Sequence, residues 1–150
     1  MKRLNNILPL LMLSLAISLT VLFSNSVFAG EDEYQSPVQV AGTVAISQVK
    51  AKQMYDDGIV FIDVRNPRLY EKSHIPGAVH LDYKYNFDEK TLAETVAKDQ
   101  VFIIYCSGAA CSRSSNASEK AVRWGFSKVH YFRGGIVDWR KAGYETETSE

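Results

Sequence analysis

The only two cysteines of the 150-residue chain, Cys106 and Cys111, lie five positions apart in the stretch "IYCSGAACSRSS". An apolar run leads into the first, and a helical pattern opening at Ser112 to Ser115 follows the second. The small residues Ser107, Gly108, Ala109 and Ala110 let the chain curl with backbone N–H groups turned inward, forming an anion-binding nest. The helix start adds a partial positive charge, and Arg113 adds a full one if it folds back. All three effects favour thiolate over thiol and draw the Cys106 pKa below its free value. Cys106 is therefore the expected nucleophile, on a binding loop made of Ser107, Gly108, Ala109, Ala110, Cys111, Ser112 and Arg113.

A structural disulfide is the competing reading. A bridge between these cysteines would close a very short loop and remove little chain entropy, which favours a chemical role. Bridging also requires Cα atoms within about 4.4–6.8 Å. Side chains of a nest splay outward, so a Cys106–Cys111 bridge is expected to need the loop to rearrange. Two chemistries fit such a cradle. A cysteine phosphatase would hold phosphate there, with an arginine on its oxygens and an aspartate as general acid. A sulfurtransferase would stabilise the outer sulfur of a persulfide. The loop by itself leaves both open.

The elements that must carry this loop can be read on either side of it. "IVFIDV" (residues 59–64) and "VFIIYC" (residues 101–106) are near-continuous apolar runs of the kind found in buried parallel strands. A short strand or turn is expected just after Ala41, and short strands around residues 79–81 and at "KVHYF". Ser47 and Asp88 are expected N-caps, Pro67 marks a helix start, and Gly58 and Gly143 mark helix ends. Helices are expected at "SNASEKAVRWGF" and "IVDWRKAGY", with Trp124 and Trp139 in the core. Strands alternating with helices over this length specify an α/β fold with a central parallel sheet and helices on both faces. In such a sheet ligands bind beyond the carboxyl ends of the strands, where Cys106 falls.

Ahead of this pattern, Lys2 and Arg3 precede an apolar run from Ile7 to Phe23, and Val27 and Ala29 supply small residues before Gly30. Residues 1–29 thus read as a secretory signal peptide, residues 30–40 as a flexible leader and residues 147–150 as a polar tail. Cleavage would remove two basic and no acidic residues, turning seventeen against seventeen into fifteen against seventeen. That near-neutral balance excludes the basic stripe of a nucleic-acid binder, and the mature chain would have no membrane attachment. Export, periplasmic if the source has an outer membrane and secreted otherwise, would place both thiols in an oxidising compartment. His74, His80 and His130 lack ligand spacing, so no metal is expected. His74 reads as structural, its ring bonded to backbone and fixing the turn at Pro76 and Gly77. "NAS" at Asn116 falls in a predicted helix and is discounted as a glycosylation site.

Three separated stretches resemble the rhodanese superfamily. "FIDVRNPRLYEKSHIPGAVHL" is similar to its amino-terminal signature, and "VHYFRGGIVDWRKAGY" to its carboxyl-terminal one, with the cysteine stretch between them. The resemblance covers about Ser47 to Glu145, within a domain expected over residues 41–146, and implies a rhodanese fold and a sulfurtransferase carrying sulfane sulfur as a persulfide on Cys106, without organic cofactor. It implies that Asp63 and Arg65 form an ion pair beside the active-site loop. It also implies a small sulfur donor such as thiosulfate or a persulfide, and a protein thiol as acceptor or reductant. The usual loop has a basic residue at the fifth position after the cysteine, where this chain has Cys111. Counting back from Trp124–Gly125 makes the loop two residues longer than the common form, which keeps the phosphatase reading open. Cys111 is also a candidate resolving thiol that would release sulfide and leave a disulfide. Three readings follow: a persulfide sulfurtransferase, a thiol-disulfide or sulfur-relay protein cycling both cysteines, and a non-catalytic binding module.

Overall fold

A computed structural model describes residues 34–149; the signal-peptide reading, the first four leader residues and Glu150 lie outside the described residues. Ten elements alternate along the chain: β1 (Val44–Ala45), α1 (Gln48–Asp56), β2 (Val60–Asp63), α2 (Pro67–Lys72), β3 (Val79–His80), α3 (Glu89–Thr95), β4 (Phe102–Tyr105), α4 (Arg113–Arg123), β5 (Val129–Phe132) and α5 (Gly135–Lys141). All five strands are parallel, in the order β1-β5-β4-β2-β3. This is the α/β arrangement expected. The chain builds outward from β2 to β3, returns to β4 at the centre and continues to β5 on the other side. Strand order reverses at β4, and the crevice of such a sheet opens there.

Alternation along the strands explains why their sequences are apolar throughout. Phe61, Ile103, Tyr105 and Phe132 face one side and pack with Ala51 and Met54 of α1 and Ile136 and Trp139 of α5. Ile62, Phe102 and Ile104 face the other and pack with Leu92 of α3, Ala117 and Ala121 of α4, and Phe126. Both faces are covered by helices, so the inner strands are apolar along most of their length. Capping follows the local sequence. Ser47 accepts from the Lys50 N–H, Asp88 from the Thr91 N–H, and Asn66 from the Leu69 N–H with Pro67 in the first turn. α4 stops one residue before Trp124, earlier than expected, because Gly125 adopts φ +86° and turns the chain toward β5. Trp139 is in the core, and Trp124 is partly buried against Phe87.

Both limits of the expected domain, 41 and 146, fall short. The leader is not loose from Tyr34 onward: Ser36 and Val40 are buried, and Ser36 is bonded to residues more than seventy positions away. At the other end Glu147 exchanges both backbone hydrogen bonds with His74, and the Ser149 N–H donates to Glu71 O at 3.0 Å. These attachments are long-range and polar, and hydrophobic periodicity carries no trace of such contacts.

Candidate active site

Cys106 follows the last residue of the central strand and is 1% exposed. Its carbonyl and that of Ser107 accept from the first free N–H groups of α5, Ile136 N to Cys106 O at 3.1 Å and Val137 N to Ser107 O at 3.0 Å. Helix start and cysteine loop are thus joined backbone to backbone. The Gly134–Gly135 turn permits this approach: a Cβ on Gly135, at φ +55°, would lie 2.2 Å from Cys106 O. The second glycine of the "RGG" stretch therefore serves the cysteine loop, although its spacing in the sequence, nearly thirty residues downstream, gives no indication of it.

The loop itself is closed by a bond. Cys106 and Cys111 form a disulfide with Cα atoms 6.5 Å apart. That separation lies within the range a bridge needs. The Cys111 N–H donates to Gly108 O at 2.9 Å, a tight turn that brings the fifth residue back over the first.

Above the bridge lies an open cleft of about 610 Å³ lined by Gln35, Ser107, Gly108, Ala109, Ala110, Cys111, Ser112, Arg113 and Val137. Every residue of the expected binding loop therefore borders one space, with Cys106 beneath it. Among the described residues, the N–H groups of Ser107, Gly108, Ala109 and Ala110 meet no protein acceptor. Ser112 takes the N-cap position of α4 without a side-chain cap, leaving the electropositive helix start open to the same cleft.

Gln35 and Val137 are additions that the sequence reading missed. The leader reaches the loop through Ser36, whose N–H and hydroxyl both donate to Ala109 O at 2.7 and 2.8 Å. Tyr131 donates its hydroxyl to Ser36 Oγ, and Arg133 donates to Ser36 O and Gln35 Oε1. β5 thus clamps the leader, and the leader clamps the loop.

Asp63 and Arg65 make the ion pair that the resemblance implies. Arg65 Nε donates to both carboxylate oxygens at 2.9 and 3.0 Å, Nη2 donates to Oδ2 at 2.5 Å, and the Arg65 N–H donates to Oδ1 at 2.9 Å. Both side chains are buried, and Arg65 Nη2 also holds Ser73 O at 2.7 Å. Arg65 and Ser107 border a smaller shared cleft, which puts the pair beside the cysteine loop without touching the disulfide. Beneath it Tyr105 accepts from the Ile75 N–H. Burial, reinforced by Asp63, raises the Tyr105 pKa well above its ordinary value, so this phenol stays protonated.

His74 is buried, with Nδ1 against Tyr70 O and Nε2 against Glu147 Oε1. The same carboxylate oxygen accepts from the Gly77 N–H at 2.7 Å, and Gly77 takes φ +70°. That hydrogen bond holds the Glu147 carboxyl below its ordinary pKa, with His74 adding to the effect. His74 and Gly77 therefore fix a turn on the far side of α2, as the sequence suggests, with Glu147 as the unforeseen partner.

Exposure differs across the bridge: Cys106 is buried, whereas Cys111 is partly exposed on the cleft wall. An incoming thiolate reaches Cys111 Sγ first and expels the Cys106 thiolate. Oxidised protein treated with substoichiometric glutathione, quenched by alkylation and mapped by peptide mass, should carry glutathione on Cys111 and the alkyl group on Cys106. The reverse labelling would contradict this order of attack.

The "Rhodanese-like domain" family model matches residues 47–142. The chain is 33% identical over 99 residues to thiosulfate sulfurtransferase GlpE of Pseudomonas syringae pv. syringae, covering 66% of this chain and 88% of that protein. Among solved structures, the BH2092 protein of Bacillus halodurans aligns with a TM-score of 0.63 at 30% identity, over 70% of this chain and 77% of that one. Thiosulfate sulfurtransferase from Pseudomonas aeruginosa shares the fold with a TM-score of 0.63 at 21% identity, over 72% of this chain and 21% of that one. A five-stranded parallel sheet of this order, a cysteine loop at the end of its central strand and these matches agree, and the chain belongs to the rhodanese-like domain family.

Proposed function

We propose that Cys106, once reduced, takes sulfane sulfur from a small donor such as thiosulfate or a persulfide and passes it to a thiophilic acceptor. The observation that carries this reading is the cleft above the Cys106–Cys111 bridge, bordered by the whole loop from Ser107 to Arg113 and by an uncapped helix start. A persulfide anion formed there meets unpaired N–H groups and positive potential. In the donor step the Cys106 thiolate attacks the outer sulfur of thiosulfate; that S–S bond breaks and sulfite leaves with the electron pair. Similarity to a protein named thiosulfate sulfurtransferase supports the same chemistry. No carboxylate borders the cleft among the described residues, so the general acid of a cysteine phosphatase has no counterpart there.

Export belongs to this proposal. Residues 1–29 have the signal-peptide pattern, and a closed Cys106–Cys111 bridge suits the oxidising periplasm that such a signal implies. Work in that compartment requires a reductant for the bridge, and a protein dithiol is the fitting class.

The test uses a Cys111→Ser protein, which cannot close the bridge. After thiosulfate treatment it should gain the mass of one sulfur on the peptide containing Cys106, and cyanide should remove that sulfur as thiocyanate. A protein that acquires no sulfur and forms no thiocyanate above a buffer control would refute the reading.

A further inference from the structure

We propose that Cys111 is the acceptor of the sulfur that Cys106 carries, which makes the domain a dithiol-driven thiosulfate reductase that releases sulfide. The inference rests on the persulfide reading above and names its acceptor, product and reductant. Reach is the first support. The two sulfurs are bonded in a fold where every anchor of the loop is intact: Cys106 O and Ser107 O hold the start of α5, Ala109 O is held by Ser36, and Gly108 O by the Cys111 N–H. Attack of Cys111 Sγ on Cys106 Sγ therefore asks for no movement of sheet or helix. Such an intramolecular thiol outcompetes a dilute external acceptor.

Burial is the second support. In the bridged form Cys106 is almost wholly covered whereas Cys111 faces the cleft, so a reductant's thiol meets Cys111 first and the cycle restarts at that sulfur. The turn closed by the Cys111 N–H on Gly108 O is what brings this thiol back over Cys106.

The cycle balances in four steps. A thiolate of a dithiol reductant attacks Cys111 Sγ, breaking the bridge and expelling the Cys106 thiolate. The reductant's second thiol then attacks the mixed disulfide, freeing the Cys111 thiol and leaving the reductant oxidised to its disulfide. Next, the Cys106 thiolate takes the outer sulfur of thiosulfate and sulfite leaves. Finally Cys111, losing its proton, attacks Cys106 Sγ; the persulfide S–S bond breaks and the outer sulfur departs with that proton as hydrosulfide. The bridge is restored. Thiosulfate and a dithiol are converted to sulfite, hydrogen sulfide and a disulfide.

A single turnover tests this. Wild-type protein is reduced, desalted free of reductant under anaerobic conditions, and given one equivalent of thiosulfate. Close to one sulfide per chain is expected, with intact mass showing the Cys106–Cys111 disulfide and no persulfide. Cys111→Ser and Cys111→Ala proteins should retain the sulfur on Cys106 and release essentially none. Wild type that keeps its persulfide with Cys111 open to alkylation overturns the inference while leaving the sulfurtransferase reading standing. Equal sulfide release from the Cys111 variants overturns it too. Variants that take up no sulfur at all refute the underlying reading and this one with it.

Discussion

Arg65→Met should destabilise the domain by about 3–5 kcal/mol, the range found when one partner of a buried ion pair is removed. Its magnitude follows from what is left behind. Asp63 is fully buried at the end of β2, and without the guanidinium it loses its counter-charge and three of its close side-chain hydrogen bonds. An ionised carboxylate in that position has lost its solvent and its counter-charge, so it must protonate or the local fold must open. Met preserves most of the side-chain volume, which separates the electrostatic loss from a cavity. Pairing Arg65→Met with Asp63→Asn should recover part of the loss, because the charge no longer needs a partner. Denaturant unfolding of the two variants checks this; a loss below about 1 kcal/mol, typical of surface pairs, would contradict it.

Gly135→Ala is expected to slow sulfur loading of Cys106 by about 100-fold, the cost of roughly 1 Å of misplacement at a reacting group. A new Cβ would sit 2.2 Å from Cys106 O, and what it meets is backbone rather than the flexible end of a side chain. Either the turn at Gly134–Gly135 retreats or the Cys106 carbonyl moves, and both outcomes strain the Ile136 N–H to Cys106 O bond. The left-handed φ of +55° adds about 1–2 kcal/mol for any residue with a Cβ. Gly125→Ala is the control: it has φ +86° with open space around its Cβ, so it should cost stability alone. The rate of persulfide formation in a Cys111→Ser background, read beside thermal midpoints, separates the two. Equal loading rates for Gly135→Ala and Gly125→Ala would show that the turn does not position the cysteine.

The legible parts of this protein are those encoded over short distances. Ser47, Asp88, Pro67 and Gly58 act on residues within one turn, and the structure has them where the sequence suggests. The apolar runs ending at Asp63 and Cys106 pair as neighbouring parallel strands because each must be covered on both faces. Asp63 and Arg65 are two positions apart at a strand end, so their pairing needs no long-range information. What escaped detection joins distant segments through polar groups: Ser36 to Ala109, Glu147 to His74 and Gly77, and the α5 start to Cys106. A serine in a polar leader looks like any solvated serine until its acceptor is known. The disulfide is legible in part: two cysteines five positions apart offer it, but the turn closed by Gly108 O, which brings Cys111 back over Cys106, leaves no mark in the sequence.

The leader clamp also sets an order in time. Ser36 emerges from the ribosome early, yet its partners are Ala109, Tyr131 and Arg133, the last of them 97 positions downstream. Synthesis runs from the amino terminus, so this segment waits while nearly the whole sheet is made. Closing so long a loop is slow relative to local helix formation. The loop that bears the cysteines therefore has its Ser36 anchor only once β5 is in place beside it.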